Sequence, residues 1–479
     1  MAVREALQDR CELATGDVAR LVQTVRRDIS ELSAEPGWGN HWDDEGAIPD
    51  YSRVRERLEA LLAQGHADEV VTLGEELLEA GTQQVEMSQD EGETAEQIAA
   101  CMAVVFRALA QSSRSPVEQM LWAIDAEFED EYDLCQGTDT FWEQERAVAD
   151  WHALAEQLAQ RLRPHASPRR ADSPGDHYRD QLVDWLIYAL ERAGRHNEVL
   201  PLCEREVEWT GNYLRLVERL KAAERWEDAE RWIRKGIEAT HQRWPGLAEP
   251  LRTALRELRE RANDWSSVAA LRAEDFFRQP TLHTFQALQQ ASERTGVWPA
   301  VRVAAMHYLE TGELPQAARR PRQGQPSVVW PLPATGMPAD TTRDFRPQPP
   351  MIDTLMAIAI TEQCPDEVLH WYDQRRPTPS WGWREVSDDR VAEAVADTYP
   401  DRALTIWKRL AEAEIARTDT RAYETAAGYL RKAHRLLEGL GRTAEWHSYL
   451  TTLRQTNARK RRLLEILDHL EDRRIVKET

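Results

Sequence analysis

The stretch YLRLVERLKAAERWEDAERWIRKGIEA, residues 213–239, decides the fold. Tyr213, Leu216, Val217 and Leu220 recur at helical intervals, and after a polar break at Glu224–Arg225 so do Trp226, Ala229, Trp232, Ile233 and Ile237. Apolar residues three and four apart share one face of a 3.6-residue helix. The stretch therefore predicts two short helices joined by a tight turn. Such a hairpin cannot bury both of its apolar faces alone and needs a similar hairpin on each side.

The flanking sequence supplies them. GRHNEV (194–199), ERWEDA (224–229), NDWSSV (263–268) and GVWPAV (296–301) align on one pattern. Each opens with a turn residue, has an aromatic two positions later, and a small or β-branched residue three after that. Gly or Asn at the turn suits a left-handed helix end. The aromatic is expected to plug the hairpin, so Trp226, Trp265 and Trp298 are expected to be buried, and the small residue lets the helices approach. The last residues of the four segments are 30, 39 and 33 positions apart, close to the roughly 34-residue tetratricopeptide period. The expected fold is all-α, a tetratricopeptide-like helical-hairpin repeat solenoid in two or three segments.

Composition divides the chain further. Residues 1–162 read as an acidic N-terminal helical domain. It includes a hairpin around Gln64–Gly65, a Pro/Gly-rich break PGWGNHWDDEGAIPDYS (36–52), a buried helix at Ile98–Leu109 and an amphipathic stretch at Phe141–Leu162. RPHASPRRADSPGDH (163–177) reads as a linker. Residues 178–314 hold the clearest repeats. Residues 315–350, with nine prolines, form a helix-free connector, and 351–479 resume a helical pattern.

Charge is unevenly placed. The net charge is −22, and residues 1–150 hold 34 acids against 11 bases, a balance of −23, which leaves +1 for the rest. A field of that sign repels phosphate and attracts basic partners; it also serves solubility. The opening residues are charged and amphipathic, without a signal peptide's apolar segment, and no apolar run approaches the length of a membrane span. Both features predict a cytoplasmic protein. Five scattered cysteines, none in a CxC or CxxC pair, predict buried thiols and no metal knuckle.

IPDYSRVRERLEALLAQGHADEVVTLGEELLEAG, QDEGETAEQIAACMAVVFRAL, LWAIDAEFEDEYDL, WPLPATGMP, CPDEVLHWYDQRR and YETAAGYLRKAHRLLEGLGRTAEWHSYLTTLR resemble the helical region of bacterial SWIM zinc-finger proteins. The resemblance runs from about residue 20 to the C-terminus. It implies DNA or protein binding for that family's CxC…CxH zinc module. This sequence has no CxC, so zinc binding does not carry over, and no cofactor is expected.

No phosphate loop, nucleophile elbow, HExxH or dinucleotide fingerprint is present. The leading functional reading is a non-catalytic scaffold or adaptor for a protein partner with a basic surface. Its expected contacts are the acidic run Glu127, Glu129, Asp130 and Glu131, which opposes the dipole of a helix end and so predicts fraying or cation binding there. The polar positions Arg215, Glu218 and Arg219, expected to line a repeat groove, join them, as does the loop group Trp38, His41 and Trp42. One alternative is a subunit of a DNA-acting or defence complex. Its nucleic-acid contact is disfavoured by the acidic first third and by sparse basic clusters at Arg319–Arg322 and Arg459–Arg462. The other is an enzyme whose site is scattered in sequence, which requires a deep pocket gathering His, Asp and Glu.

Overall fold

The computed structural model describes residues 18–40, 45–163, 175–315, 330–338, 348–375 and 386–470. Among these residues the chain forms 22 helices. The only sheet among them pairs two three-residue strands, β1 (Trp38–Asn40) and β2 (Glu45–Ala47), antiparallel with Trp38 opposite Ala47. The protein is thus all-helical, as the 3.6-residue periodicity predicts. It divides into two compact units, residues 1–236 and 237–479.

In the first unit the helices are α1 (Val18–Ser33), α2 (Ser52–Ala63), α3 (Ala67–Met87), α4 (Glu93–Leu109), α5 (Pro116–Glu129), α6 (Thr138–Trp142), α7 (Val148–Arg161), α8 (His177–Arg192), α9 (His196–Thr210), α10 (Tyr213–Ala222) and the start of α11 (Trp226–Thr240). Helix α4 is the central one: Ile98, Met102, Val105, Phe106 and Leu109 are all buried. It packs against α3 at Gly74, where an added Cβ would meet Val105 Cγ1 at 2.3 Å. The absence of a side chain at Gly74 sets this close helix approach. Helix α5 starts at a capping box, with the Ser115 side chain accepting from the Glu118 N–H and the Glu118 carboxylate accepting from the Ser115 N–H. The amphipathic stretch 141–162 is divided between the end of α6 and α7. On either side of the proline-rich segment 163–177, α7 and α8 pack on each other, and Arg179 donates to the Leu162 carbonyl at 3.2 Å.

The second unit holds the end of α11, then α12 (Pro245–Arg261), α13 (Trp265–Arg278), α14 (Leu282–Arg294), α15 (Trp298–Thr311), α16 (Ile352–Thr361), α17 (Pro365–Gln374), α18 (Asp388–Val395), α19 (Pro400–Ala416), α20 (Thr420–Gly439), α21 (Thr443–Thr456) and α22 (Arg461–Asp468). The described part of the 315–350 connector is helix-free, yet it is not loose: Leu332 joins the core formed by Phe276, Phe285 and Leu309, and Trp330 packs on Phe277.

One turn recurs through both units. Gly65, Gly194, Glu224, Asn263, Gly296, Gln363 and Gly441 all have positive φ at a helix C-terminus. At each, the following N–H reaches back to a carbonyl five residues earlier, as from Arg225 to Leu220 at 2.9 Å and from Asp264 to Arg259 at 2.9 Å. The turn residue's own N–H also bonds the carbonyl three residues before it, as from Glu224 to Lys221 at 3.0 Å. These paired bonds satisfy carbonyls that a helix end would leave open. Five positions after each turn residue comes a buried side chain: Val70, Val199, Ala229, Val268, Val301, Val368 and Trp446.

The expected aromatic plug is corrected by this geometry. Trp226, Trp265 and Trp298 are the first residues of their helices and only half-buried, and His196 at the equivalent place is exposed. The residue three later, one turn into the helix, faces the preceding helix and is the true plug. Trp446 occupies that inner position itself; it is 0% exposed and stacks on His434 at 4.6 Å between ring centroids.

Candidate functional site

The acidic run at the end of α5 is partly structural. Asp130 does not leave the helix end frayed: its Oδ1 accepts from the N–H of Tyr132 at 3.1 Å and Leu134 at 2.9 Å, and its Oδ2 from Cys135 at 2.7 Å. The carboxylate closes the loop that follows α5. Glu127 is half-buried and accepts from Trp142 Nε1 at 3.0 Å, and burial pushes its pKa up. Only Glu129 and Glu131 face solvent. Among the described residues no group of three or more His, Cys, Asp or Glu is arranged to hold a metal ion.

The groove positions on α10 divide in the same way. Arg215 pairs with Asp180 at 2.6 Å and Asp184 at 2.7 Å, and Arg219 pairs with Glu191, so both arginines tie α10 back to α8. Glu218 is exposed and paired with Lys221 at 3.1 Å. Trp38 is 48% exposed on β1, while His41 and Trp42 lie outside the described residues.

Exposed acids that the sequence reading missed lie on the α3–α4 hairpin. Asp68, Glu75, Glu79 and Glu86 follow a 7-4-7 spacing on the exposed face of α3, and Glu91, Glu93 and Glu96 continue past its end. Asp68 accepts from the Ser113 N–H and Glu75 from Trp122 and Arg114. Among the described residues Glu79, Glu86 and Glu96 have carboxylates with no protein partner. Their signal in the sequence was the spacing, which matches one helical face.

A cavity of about 460 Å³ lies in the second unit, among the end of α11, the first half of α12, the second half of α13 and the first turns of α14. Arg252 and Arg256, one turn apart on α12, line one side; Arg272, Asp275 and Arg278 on α13 line another; His241 and His283 line it as well. Arg256 donates to Asp275 Oδ2 at 2.6 Å and to Thr253 at 2.7 Å. Arg278 donates to Asp275 Oδ1 at 2.8 Å and to Glu249. These two arginines and two carboxylates thus answer one another. His241 Nδ1 lies 3.1 Å from the Ile237 carbonyl and 3.0 Å from that of Glu238. Carbonyls only accept, so this nitrogen is the donor to them.

No protein-family model matches the chain, and no curated protein matches it.

Proposed function

We propose that the chain is a non-catalytic helical-hairpin scaffold that binds a protein partner with a basic surface. The recurrence of one left-handed turn, followed each time by a buried residue five positions on, is the observation that carries this reading. Identical hairpin closures are what a stacked, tetratricopeptide-like repeat array requires, since each hairpin must offer its open apolar face to the next. A relation to the helical region of bacterial SWIM zinc-finger proteins belongs to the same proposal. So does a cytoplasmic location; no helix among the described residues is long and apolar enough to cross a membrane.

The docking face in this reading is the exposed acidic side of α3 and α4, with Glu129 and Glu131 beside it in charge. Long-range attraction speeds encounter with a basic surface and is screened by salt. The binding reading is favoured over chemistry by the state of the cavity's carboxylates. Both Glu249 and Asp275 are held by arginines, which suits them poorly to proton transfer. The test is affinity capture from a host lysate with the wild-type chain and with Glu79→Gln, Glu86→Gln, Glu96→Gln combined. A kinetic salt series on the recovered pair follows. The reading expects slower association for the triple variant and a flatter salt dependence, with dissociation little changed. An association rate indifferent to salt and to the variant would leave the acids as a solubility device.

A further inference from the structure

The cavity in the second unit contains a buried cation, Arg252, that makes no ion pair among the described residues. Arg252 is 6% exposed, and its Nε is buried with no hydrogen-bond partner. Among the described residues no carboxylate lies within ion-pair range of it. Arg278 repels it, and Glu249, Glu274 and Asp275 attract it. The carboxylates within reach are already engaged: Asp275 and Glu249 by Arg256 and Arg278, and Glu274 as acceptor from Thr335 Oγ1. An unpaired buried charge is expensive and is retained where something answers it.

The lining tells what would answer it. Arg252, Arg256, Arg272 and Arg278 stand against Glu249 and Asp275, leaving two positive charges in excess when both histidines are neutral. Arg272 leans toward Glu260 at a loose 3.9 Å. The first turns of α12, at Pro245 to Glu249, and of α14, at His283 and Thr284, border the same space. Helix N-termini add partial positive charge and favour anions. Guanidinium groups offer planar forks matched to carboxylate and phosphate oxygens. The volume falls within the roughly 300–1,000 Å³ range of small-molecule pockets and exceeds what a bare inorganic ion fills.

We propose that this cavity binds a small organic dianion, a phosphate monoester or a dicarboxylate, with Arg252 as the principal anchor and Arg272 as the second cation. The site lies in the second unit and does not depend on the acidic docking face. Arg256 and Arg278 are positioning residues that hold the α12 and α13 walls through Asp275 and Glu249.

The experiment is isothermal titration calorimetry of the full chain at pH 7 and matched ionic strength. The probes are glycerol phosphate, inorganic phosphate and succinate. Wild type is compared with Arg252→Met, Arg252→Lys and a control on an exposed arginine of α18, Arg390→Met, each checked for helicity by circular dichroism. The expected result is about one site per chain for glycerol phosphate or succinate. Affinity should fall at least tenfold in Arg252→Met, fall less in Arg252→Lys, and stay unchanged in Arg390→Met. Preference for glycerol phosphate assigns the site to phosphoryl groups, and preference for succinate to dicarboxylates. Should Arg252→Met fail to fold, Arg272→Gln carries the comparison, with a weaker but still several-fold loss expected. Absence of binding by all three probes at millimolar concentration would overturn the proposal. So would binding that is equal in wild type and in the Arg252 and Arg272 variants.

Discussion

Glu206 in the first unit and Arg252 in the second are both charges buried on helices, and they are treated in opposite ways. Glu206, 2% exposed on α9, accepts from Arg179 Nε at 2.7 Å and from Arg205 Nε at 2.8 Å. Arg252, buried to a similar degree on α12, makes no ion pair among the described residues, and its Nε has no hydrogen-bond partner there. A buried ion pair is a structural arrangement whose removal by halves is costly, because the remaining charge is stranded. A buried charge that no ion-pair partner answers among the described residues is, in our proposal, held for something that binds. The difference separates the charges that hold the molecule together from those that are available to a ligand.

The largest effect should come from turning Glu206 into the Arg252 case. Arg179→Ala combined with Arg205→Ala leaves the Glu206 carboxylate buried and alone, and should cost about 3–5 kcal/mol of unfolding free energy, read by urea denaturation. A loss below about 1 kcal/mol would mean that the pairs contribute nothing and that burial alone says little about either charge. Next in size is Asp130→Ala, which removes the acceptor of three backbone N–H groups after α5. Its expected cost is about 2–3 kcal/mol, as for hydrogen bonds to a charged group. Glu129→Ala and Glu131→Ala, exposed on either side of it, should each change stability by no more than about 0.5 kcal/mol. Equal effects at the three positions would dissolve the distinction between structural and available acids.

Glu127 gives the smallest effect and a sign that can be checked. Burial raises its folded pKa above the ordinary 4.5, so the folded state keeps the proton longer than the unfolded chain. Stability from this residue is greatest at low pH and is lost as pH rises from near 4.5 to the raised value. Glu127→Gln keeps an acceptor for Trp142 and removes the titration. The variant should therefore be slightly more stable than wild type at pH 7, with the difference vanishing near pH 4. A difference independent of pH would refute the burial account.

These contrasts also mark what the sequence could reveal. The all-helical class and the turns were legible because a left-handed helix end favours Gly or Asn, as at Gly194, Asn263 and Gly296; Glu224 was found only through its place in the pattern. The plug was misread because Trp is conspicuous. The first residue of a helix points along the chain's entry, and the inner face begins one turn later, where Ala229, Val268 and Val301 are inconspicuous. The cavity was not legible at all. Its arginines come from two helices and its histidines from two further segments. In α12, Arg252 and Arg256 directly follow the buried Leu251 and Leu255, which reads as the edge of an ordinary amphipathic stripe. Burial of a charge is a tertiary fact; only the placement of α13 against α12 creates it. The acidic run at 127–131 was legible as charge, but not as three different roles, because the backbone donors that engage Asp130 belong to a loop whose path the composition does not specify.

The measurement that tests the account most directly is the unfolding free energy of ligand-free Arg252→Met beside that of wild type and Arg256→Met. Methionine preserves much of the arginine stem's volume while removing the charge. If Arg252 is held for a ligand, its replacement relieves a standing cost. Arg252→Met should then be as stable as wild type or more so by about 1–3 kcal/mol. Arg256→Met, which breaks the pair with Asp275, should be less stable. A loss in Arg252→Met as large as that in Arg256→Met would contradict the account, because Arg252 would then be one more structural charge.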